Sequence, residues 1–335
     1  MTIPEVLRLL GAGASGAILM ALGIAALRTK ELTEQVRGYT PRTVYRYTSK
    51  LVEAGLVERH EEPGVPSKVT HALTEPEGRE LYDLLRAYAD ASFIRLPDGR
   101  IDSHAWGSLT MLADLWESGL IDDLTLGPKS PTDMARVEHG LSYHQVNRRV
   151  GLFAVGGFLC EEIVGGRRRV YALTDKARRG IALIAGIGRW RRRYVVPEGM
   201  SGLTPREAAG ALRAALPLVA LPEHGGKSLG LEIASPGKHE DPVPVWATVE
   251  PDGTVLSCRD SLPEVDGHAK GKVPAFVDAL LDGPRGGLTL EGDAELIKTC
   301  FARLHTTLWA PSLSASATPA EGVAGGGDSP ELSYS

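Results

Sequence analysis

The feature that most constrains this chain is an internal repeat. Gly38–Leu56 reads GYTPRTVYRYTSKLVEAGL, and Gly140–Phe158 reads GLSYHQVNRRVGLFAVGGF, at a constant offset of 102 residues. Thr40 matches Ser142, Val44 matches Val146, Arg46 matches Arg148, Leu51 matches Phe153 and Gly55 matches Gly157. After a loop two residues shorter in the second stretch, Ala72-Leu73-Thr74 recurs as Ala172-Leu173-Thr174. Self-similarity at a fixed spacing means one supersecondary unit used twice.

The matched positions have a physical reading. Thr40 and Ser142 are N-cap residues, whose hydroxyls accept a bond from an unpaired backbone N–H. Pro41 at the first helical position costs no hydrogen bond. Val44, Tyr47, Thr48, Leu51 and Val52 lie at helical spacing and predict a core-facing stripe, although Arg149 stands at the Tyr47 position in the second stretch. Gly55 and Gly157 fit a helix C-terminus that needs positive φ. Strand-prone segments follow: Leu56–His60 and Lys68–Leu73 around Pro63-Gly64-Val65-Pro66, then Phe158–Val164 and Arg169–Leu173 around Gly165-Gly166. Each pair predicts a hairpin. A further helix is expected from about Glu75 and from about Asp175, and a shorter one before each turn, at Lys30–Arg37 and Pro131–Glu138. Each stretch therefore reads helix, helix, turn, helix, hairpin, helix. That is the order of a winged helix-turn-helix, in which the third helix enters a major groove.

The run Val36–Leu81, VRGYTPRTVYRYTSKLVEAGLVERHEEPGVPSKVTHALTEPEGREL, resembles the HxlR-type winged-helix transcriptional regulators, and the second stretch is a more diverged copy. The resemblance implies a DNA-binding regulator with double-stranded DNA as partner, and not an enzyme. Members of that family usually open with a Cys and a Gly-x-Trp, where this chain has Leu10-Gly11-Ala12-Gly13-Ala14. They usually carry one such domain and dimerise; here two are fused, and a homodimer of the fused chain is a further expectation.

On the first third-helix, the DNA-binding candidates are Thr40, Arg42, Thr43, Arg46 and Lys50, with Lys68 in the hairpin. On the second they are Ser142, His144, Gln145, Arg148 and Arg149, with Arg167, Arg168 and Arg169 at the hairpin tip. Arg pairs bidentately with guanine and Gln with adenine in the major groove; Arg clusters on a hairpin suit phosphates or a narrow minor groove. The two helices should read different half-sites. The second turns apolar at Leu152, Phe153, Val155 and Phe158, where the first carries Lys50 and Glu53. This predicts that the second copy has partly traded DNA contact for packing or ligand contact. Arg189 and Arg191–Arg193, around Trp190, form another basic cluster that reads either as a DNA contact or as a solvated face.

Composition narrows the remaining classes. The chain has 335 residues and a net charge of −5. Residues 1–99 carry −1, residues 100–200 carry +4 and residues 201–335 carry −8, so an anionic partner is expected on the first 200 residues. Cys160, Cys258 and Cys300 are far apart and form no disulfide framework, which points to a reducing cytoplasm. Ala12–Leu27 is an apolar run shorter than a bilayer span; it predicts a buried first helix rather than a targeting or membrane segment. Gly11-Ala-Gly13-Ala-Ser-Gly16 matches the dinucleotide fingerprint G-x-G-x-x-G, but that motif requires flanking strands. Here a helical pattern follows, so close packing of small residues is expected and no cofactor. His239-Glu240-Asp241 sits among Gly and Pro, and no metal site is expected.

Beyond residue 200 the pattern changes. Thr204–Leu216 predicts a capped helix. Ser228–Ala234, Val243–Val249, Thr254–Cys258 and Gly287–Leu290 predict strands, and Val273–Leu281 and Asp293–Leu308 predict helices. Val245–Trp309, with Leu288-Thr-Leu-Glu-Gly-Asp293 its most specific piece, weakly resembles a sterol-carrier-protein-like domain. That resemblance implies an apolar cavity and a small hydrophobic effector, or else a dimerisation module. A second candidate ligand site is Trp106, Trp116 and Trp190, which equally read as plain core. The expected architecture is a helix-rich α+β chain: two tandem winged helix-turn-helix domains at 1–98 and 99–199, a smaller α+β effector or dimerisation domain at 200–311, and a disordered tail at 312–335. Two alternatives stay open: a ligand-sequestering or protein-interaction protein that has lost DNA binding, and a nucleic-acid-modifying enzyme on the same scaffold.

Overall fold

In the computed structural model, which describes residues 1–63, 68–93, 101–136, 141–164, 167–196, 203–234, 241–258, 262, 264–283 and 286–309, the apolar run Ala12–Leu27 holds the one buried helix expected, over a shorter span, and a further helix precedes it. These are α1 (Ile3–Gly11) and α2 (Ser15–Leu22), bent by 84°. The turn between them exists so that rings can approach it. Gly13 has φ +51°, and a Cβ there would lie 2.2 Å from the Tyr47 ring; a Cβ on Gly16 would lie 2.4 Å from the Trp106 ring. The G-x-G-x-x-G run is therefore a packing device. No described helix is by itself long and apolar enough to cross a membrane.

Next come β1 (Leu27–Arg28), α3 (Thr29–Gln35), α4 (Pro41–Glu53), β2 (Val57–Glu62), β3 (Lys68–Leu73) and α5 (Glu77–Ser92). The second stretch runs through α6 (Gly107–Glu117), α7 (Leu120–Leu124), α8 (Pro131–Arg136), α9 (Tyr143–Val155), β4 (Leu159–Val164), β5 (Arg168–Leu173) and α10 (Asp175–Tyr194). In place of β1 it has a single bridge, Lys129 to Tyr171, against the Leu27–His71 pairing of the first. Gly165-Gly166, most of the Pro63–Pro66 turn, the end of the Pro131–Glu138 helix and the tail 312–335 lie outside the described residues.

The two stretches share their hydrogen bonds as well as their order. The Thr74 hydroxyl donates to Gly55 O at 2.7 Å, and the Thr174 hydroxyl donates to Gly157 O at 2.7 Å. Leu56 N donates to Leu51 O and Phe158 N to Phe153 O, both at 2.9 Å. Each threonine thus pins the end of the third helix to the start of the last one. The opening helices α1 and α6 pack on each other, and so do the closing helices α5 and α10. Arg8 on α1 fastens the first pair through Asp114 at 2.8 Å and Glu117 at 2.5 and 3.0 Å.

The last stretch holds α11 (Pro205–Ala215), β6 (Ser228–Ala234), β7 (Val243–Val249), β8 (Val255–Cys258), β9 (Gly267–Lys272), α12 (Val273–Asp282), β10 (Thr289–Gly292) and α13 (Ala294–Trp309). The sheet order is β10-β9-β6-β7-β8, with β6 and β9 parallel and the other pairs antiparallel. The α11 start has the expected capping box, with Thr204 N donating to Glu207 Oε2 at 2.7 Å. Strand β9 escaped the sequence pattern. Gly-His-Ala-Lys-Gly-Lys has no apolar alternation because only Ala269 contributes a buried side chain, and Gly267 and Gly271 admit Asp293 O and Leu288 at close range. The strand expected at Gly287–Leu290 begins two residues later, at Thr289.

All three stretches meet on α10, which is buried continuously from Gly180 to Trp190. Three of its glycines each receive a leucine. A Cβ would lie 2.9 Å from Leu112 of α6 at Gly180, 2.7 Å from Leu84 of α5 at Gly186 and 2.7 Å from Leu203 at Gly188. Arg189, buried on the same helix, pairs with Glu80 of α5 at 3.3 Å and Asp282 of α12 at 2.7 Å. A buried charge survives only when paired, so this arginine locks one element from each stretch. Gly186→Leu should destabilise the fold by about 1–3 kcal/mol through overpacking. Gly151→Ala on exposed α9, where a Cβ meets nothing within 4 Å, should stabilise it by up to about 1 kcal/mol. Denaturant midpoints of the two variants test the contrast.

Candidate nucleic-acid interface

Helix α4 starts where the sequence requires. Thr40 Oγ1 accepts from Thr43 N at 3.2 Å and bonds the Thr43 hydroxyl at 2.9 Å. Val44, Thr48 and Leu51 are buried, with Tyr47 and Val52 half-buried beside them. This leaves Arg42, Tyr45, Arg46 and Lys50 on the exposed side. Tyr45 is 66% exposed. It was missed in the sequence, although its spacing of three from Arg42 puts it on the same face. Arg46 and Lys50 both lie over the Tyr47 ring, at 4.8 and 5.1 Å from its centroid. Tyr47 in turn rests on Gly13. The helix is thereby held by its ring and cap while its cations face outward.

Helix α9 has the same cap with a different consequence. Ser142 Oγ accepts from Gln145 N at 3.4 Å, and Gln145 Oε1 accepts from Ser142 N at 2.8 Å. Gln145 thus spends one acceptor site of its carbonyl oxygen on the capping box and keeps its amide N–H donors free. His144, Asn147 and Arg148 are exposed, as is Tyr143, which meets His144 edge-on at 6.0 Å. Arg149 is half-buried at the Tyr47-equivalent position. Its charge acts on Glu117, whose carboxyl is held below the usual range chiefly by the Arg8 hydrogen bond and only in small part by Arg149. Leu152 and Val155 are not packed; they are 53% and 89% exposed, whereas Phe153 and Phe158 are buried. Phe153 and Phe158 fill positions that Leu51 and Leu56 already bury in the first stretch, and the two residues that replace Lys50 and Glu53 are the exposed ones, so the expected gain in packing is not seen.

The hairpins differ in charge. Lys68 is exposed beside Glu61 and Glu62 on the first. Arg167, Arg168 and Arg169 are exposed on the second, with Arg168 reaching Asp133 and Arg169 Nε 3.4 Å from Glu161. Asp133 is held below the usual carboxylate range, first by the Ser130 hydroxyl and then by Arg168. The arginines of the cluster are taken by protein partners, with only Arg189 buried: Arg191 bonds Met1 O, Arg192 meets Asp278, and Arg193 meets Glu80. Trp106 stands edge-on to Phe93 at 5.2 Å, and Trp190 donates its indole N–H to Glu77 O at 2.8 Å. Both are buried, and Trp116 is half-buried against the core. Packing accounts for all three. The apolar pocket between α10 and α12 holds only about 10 Å³, roughly one water. Among the described residues no group of three or more His, Cys, Asp or Glu is placed to hold a metal ion.

Residues 9–92 match a protein family described as HxlR-like helix-turn-helix. The matched segment runs from the end of α1 to the last residue of α5 and contains all of α4 and the first hairpin. No curated protein matches the chain. Thr40→Ala and Ser142→Ala should each cost about 1 kcal/mol, read as a lowered denaturation midpoint.

Proposed function

We propose that the chain is a DNA-binding transcriptional regulator built from two winged helix-turn-helix units and an α+β module. The observation that carries this reading is the pair of capped helices, α4 and α9, each presenting arginine on an exposed face: Arg42 and Arg46 on one, Arg148 on the other. Support for a true duplication comes from the contacts. Equivalent helices touch each other, α1 on α6 and α5 on α10, which is how a two-fold-related interface is made. On this reading one chain does the work of a dimer, and its site is asymmetric because the reading residues differ.

The α+β module extends the reading to a small hydrophobic effector. Its support is the sheet order, with one face beneath α11, α12 and α13, and the sterol-carrier-like run ending at Asp293. An effector that binds two arrangements of the chain unequally would shift the spacing of α4 and α9. The Arg189 node, which joins α5, α10 and α12, is the route by which the module would act on the helices.

Footprinting on the DNA flanking the gene tests the reading. Protection should appear at low salt as two patches about one helical turn apart, and apolar metabolites should change its strength. Absence of protection at low salt would sink it. Arg42→Ala should weaken binding to the protected site by about 1–3 kcal/mol and relax preference at one base position. Arg148→Ala should act at a different position, and identical effects on the same base would contradict the two-helix arrangement.

A further inference from the structure

Beside α9 lies an open cleft of about 680 Å³, formed by α8, the exposed N-terminal half of α9 and the β4–β5 hairpin. Its lining includes Arg136, Arg167, Arg168 and Arg169, with Asp133 as the one carboxylate. Tyr143 and Asn147 supply neutral donors on the helix side. Asp133 already accepts from the Ser130 hydroxyl at 2.7 Å and Ser130 N at 3.3 Å. Its bond to Arg168 is therefore replaceable, and an incoming anion can take over that guanidinium without stranding the carboxylate.

The first hairpin has the opposite character. In register, Glu62 stands opposite Lys68, where Val164 stands opposite Arg168 in the second. Glu61 and Glu62 occupy the positions of Ile163 and Val164. Near the tips the first hairpin thus carries two carboxylates and one lysine, and the second carries three arginines, of which Arg169 meets Glu161 further down the strand at 3.4 Å. Arg59 is taken by Glu61 at 3.0 Å, and His60 faces Glu58 at 2.9 Å. A duplex backbone presents a phosphate charge about every 1.7 Å along its axis. Two glutamates at a hairpin tip within a Debye length of it, about 10 Å at moderate salt, are repelled.

We infer that duplex DNA is gripped asymmetrically, with backbone phosphate seated in the cleft between α8, α9 and the β4–β5 hairpin while the acidic β2–β3 hairpin stays clear of the duplex. This rests on the DNA-binding reading and adds which half supplies the electrostatic anchor. The half whose helix has drifted towards apolar residues at Leu152 and Val155 keeps the phosphate grip. The half whose helix exposes Arg42, Arg46 and Lys50 reads bases without help from its hairpin.

The test is a salt titration of the full chain on a fluorescein-labelled, mixed-sequence duplex of about 30 bp, followed by polarisation from about 50 to 200 mM KCl. The variant R167A/R168A/R169A should flatten the slope of log K against log salt by about 2–3, at roughly 0.9 per lost phosphate contact. The charge-keeping variant R167K/R168K/R169K should retain most of that slope, and Lys68→Ala should leave it unchanged. A triple-alanine slope equal to wild type overturns the inference. So does a drop of about 1 for Lys68→Ala, or equal loss in the alanine and lysine triples. Wild-type chain that fails to bind at low salt overturns the DNA reading itself, so the two failures are told apart by which protein fails.

Discussion

The structure depends on the burial of one helix. From Gly180 to Trp190, α10 has no solvent face, so it must be surrounded, and each of its neighbours comes from a different part of the chain. Leucine side chains from α6, α5 and the segment before α11 enter the spaces left by Gly180, Gly186 and Gly188. Glycine inside a helix costs about 1 kcal/mol relative to alanine, and three in nine residues are a sizeable local penalty. Close interhelical approach and the apolar area it buries offset that penalty. The Arg189 pairings with Glu80 and Asp282 then fix the rotation of the three stretches about the helix.

This arrangement has a functional consequence. The helices that would meet DNA lie at the periphery, while the elements that set their relative placement converge on α10. Any change in the α+β module that moves Asp282 also acts on Glu80 of α5 through one buried guanidinium. Glu80 in turn accepts from Arg193 at 3.0 Å and from the Tyr194 hydroxyl at 2.9 Å.

The two stretches differ in where their charges sit. The first keeps a ring under its helix: Tyr47 on Gly13, with Arg46 and Lys50 above it. The second places Arg149 at the same position, uses Gln145 for capping and moves its cations to the hairpin. The match to the HxlR-like family covers residues 9–92, the stretch whose third helix exposes Arg42, Arg46 and Lys50 and whose hairpin carries Glu61 and Glu62.

Local chemistry was legible in the sequence. Thr40, Ser142 and Thr204 cap helices in the structure because capping needs only one hydroxyl and the next three residues. The α4 stripe follows from a period of 3.6 residues, and the repeat itself follows from comparing the chain with its own later half. Contacts between distant segments were not legible. A Gly-rich N-terminal run could be one helix or two until Tyr47 and Trp106 arrived to occupy the turn. Strand β9 has no apolar alternation, and its place is decided by pairing with β6 and β10. The arginines after Trp190 read as one basic patch in sequence; in space, helix geometry sends Arg191 to Met1 O, Arg192 to Asp278 and Arg193 to Glu80. Spacing and hydroxyl caps determined where the capped helices start. Only tertiary packing decided which charges are left for solvent, because pairing depends on neighbours that sequence distance does not reveal.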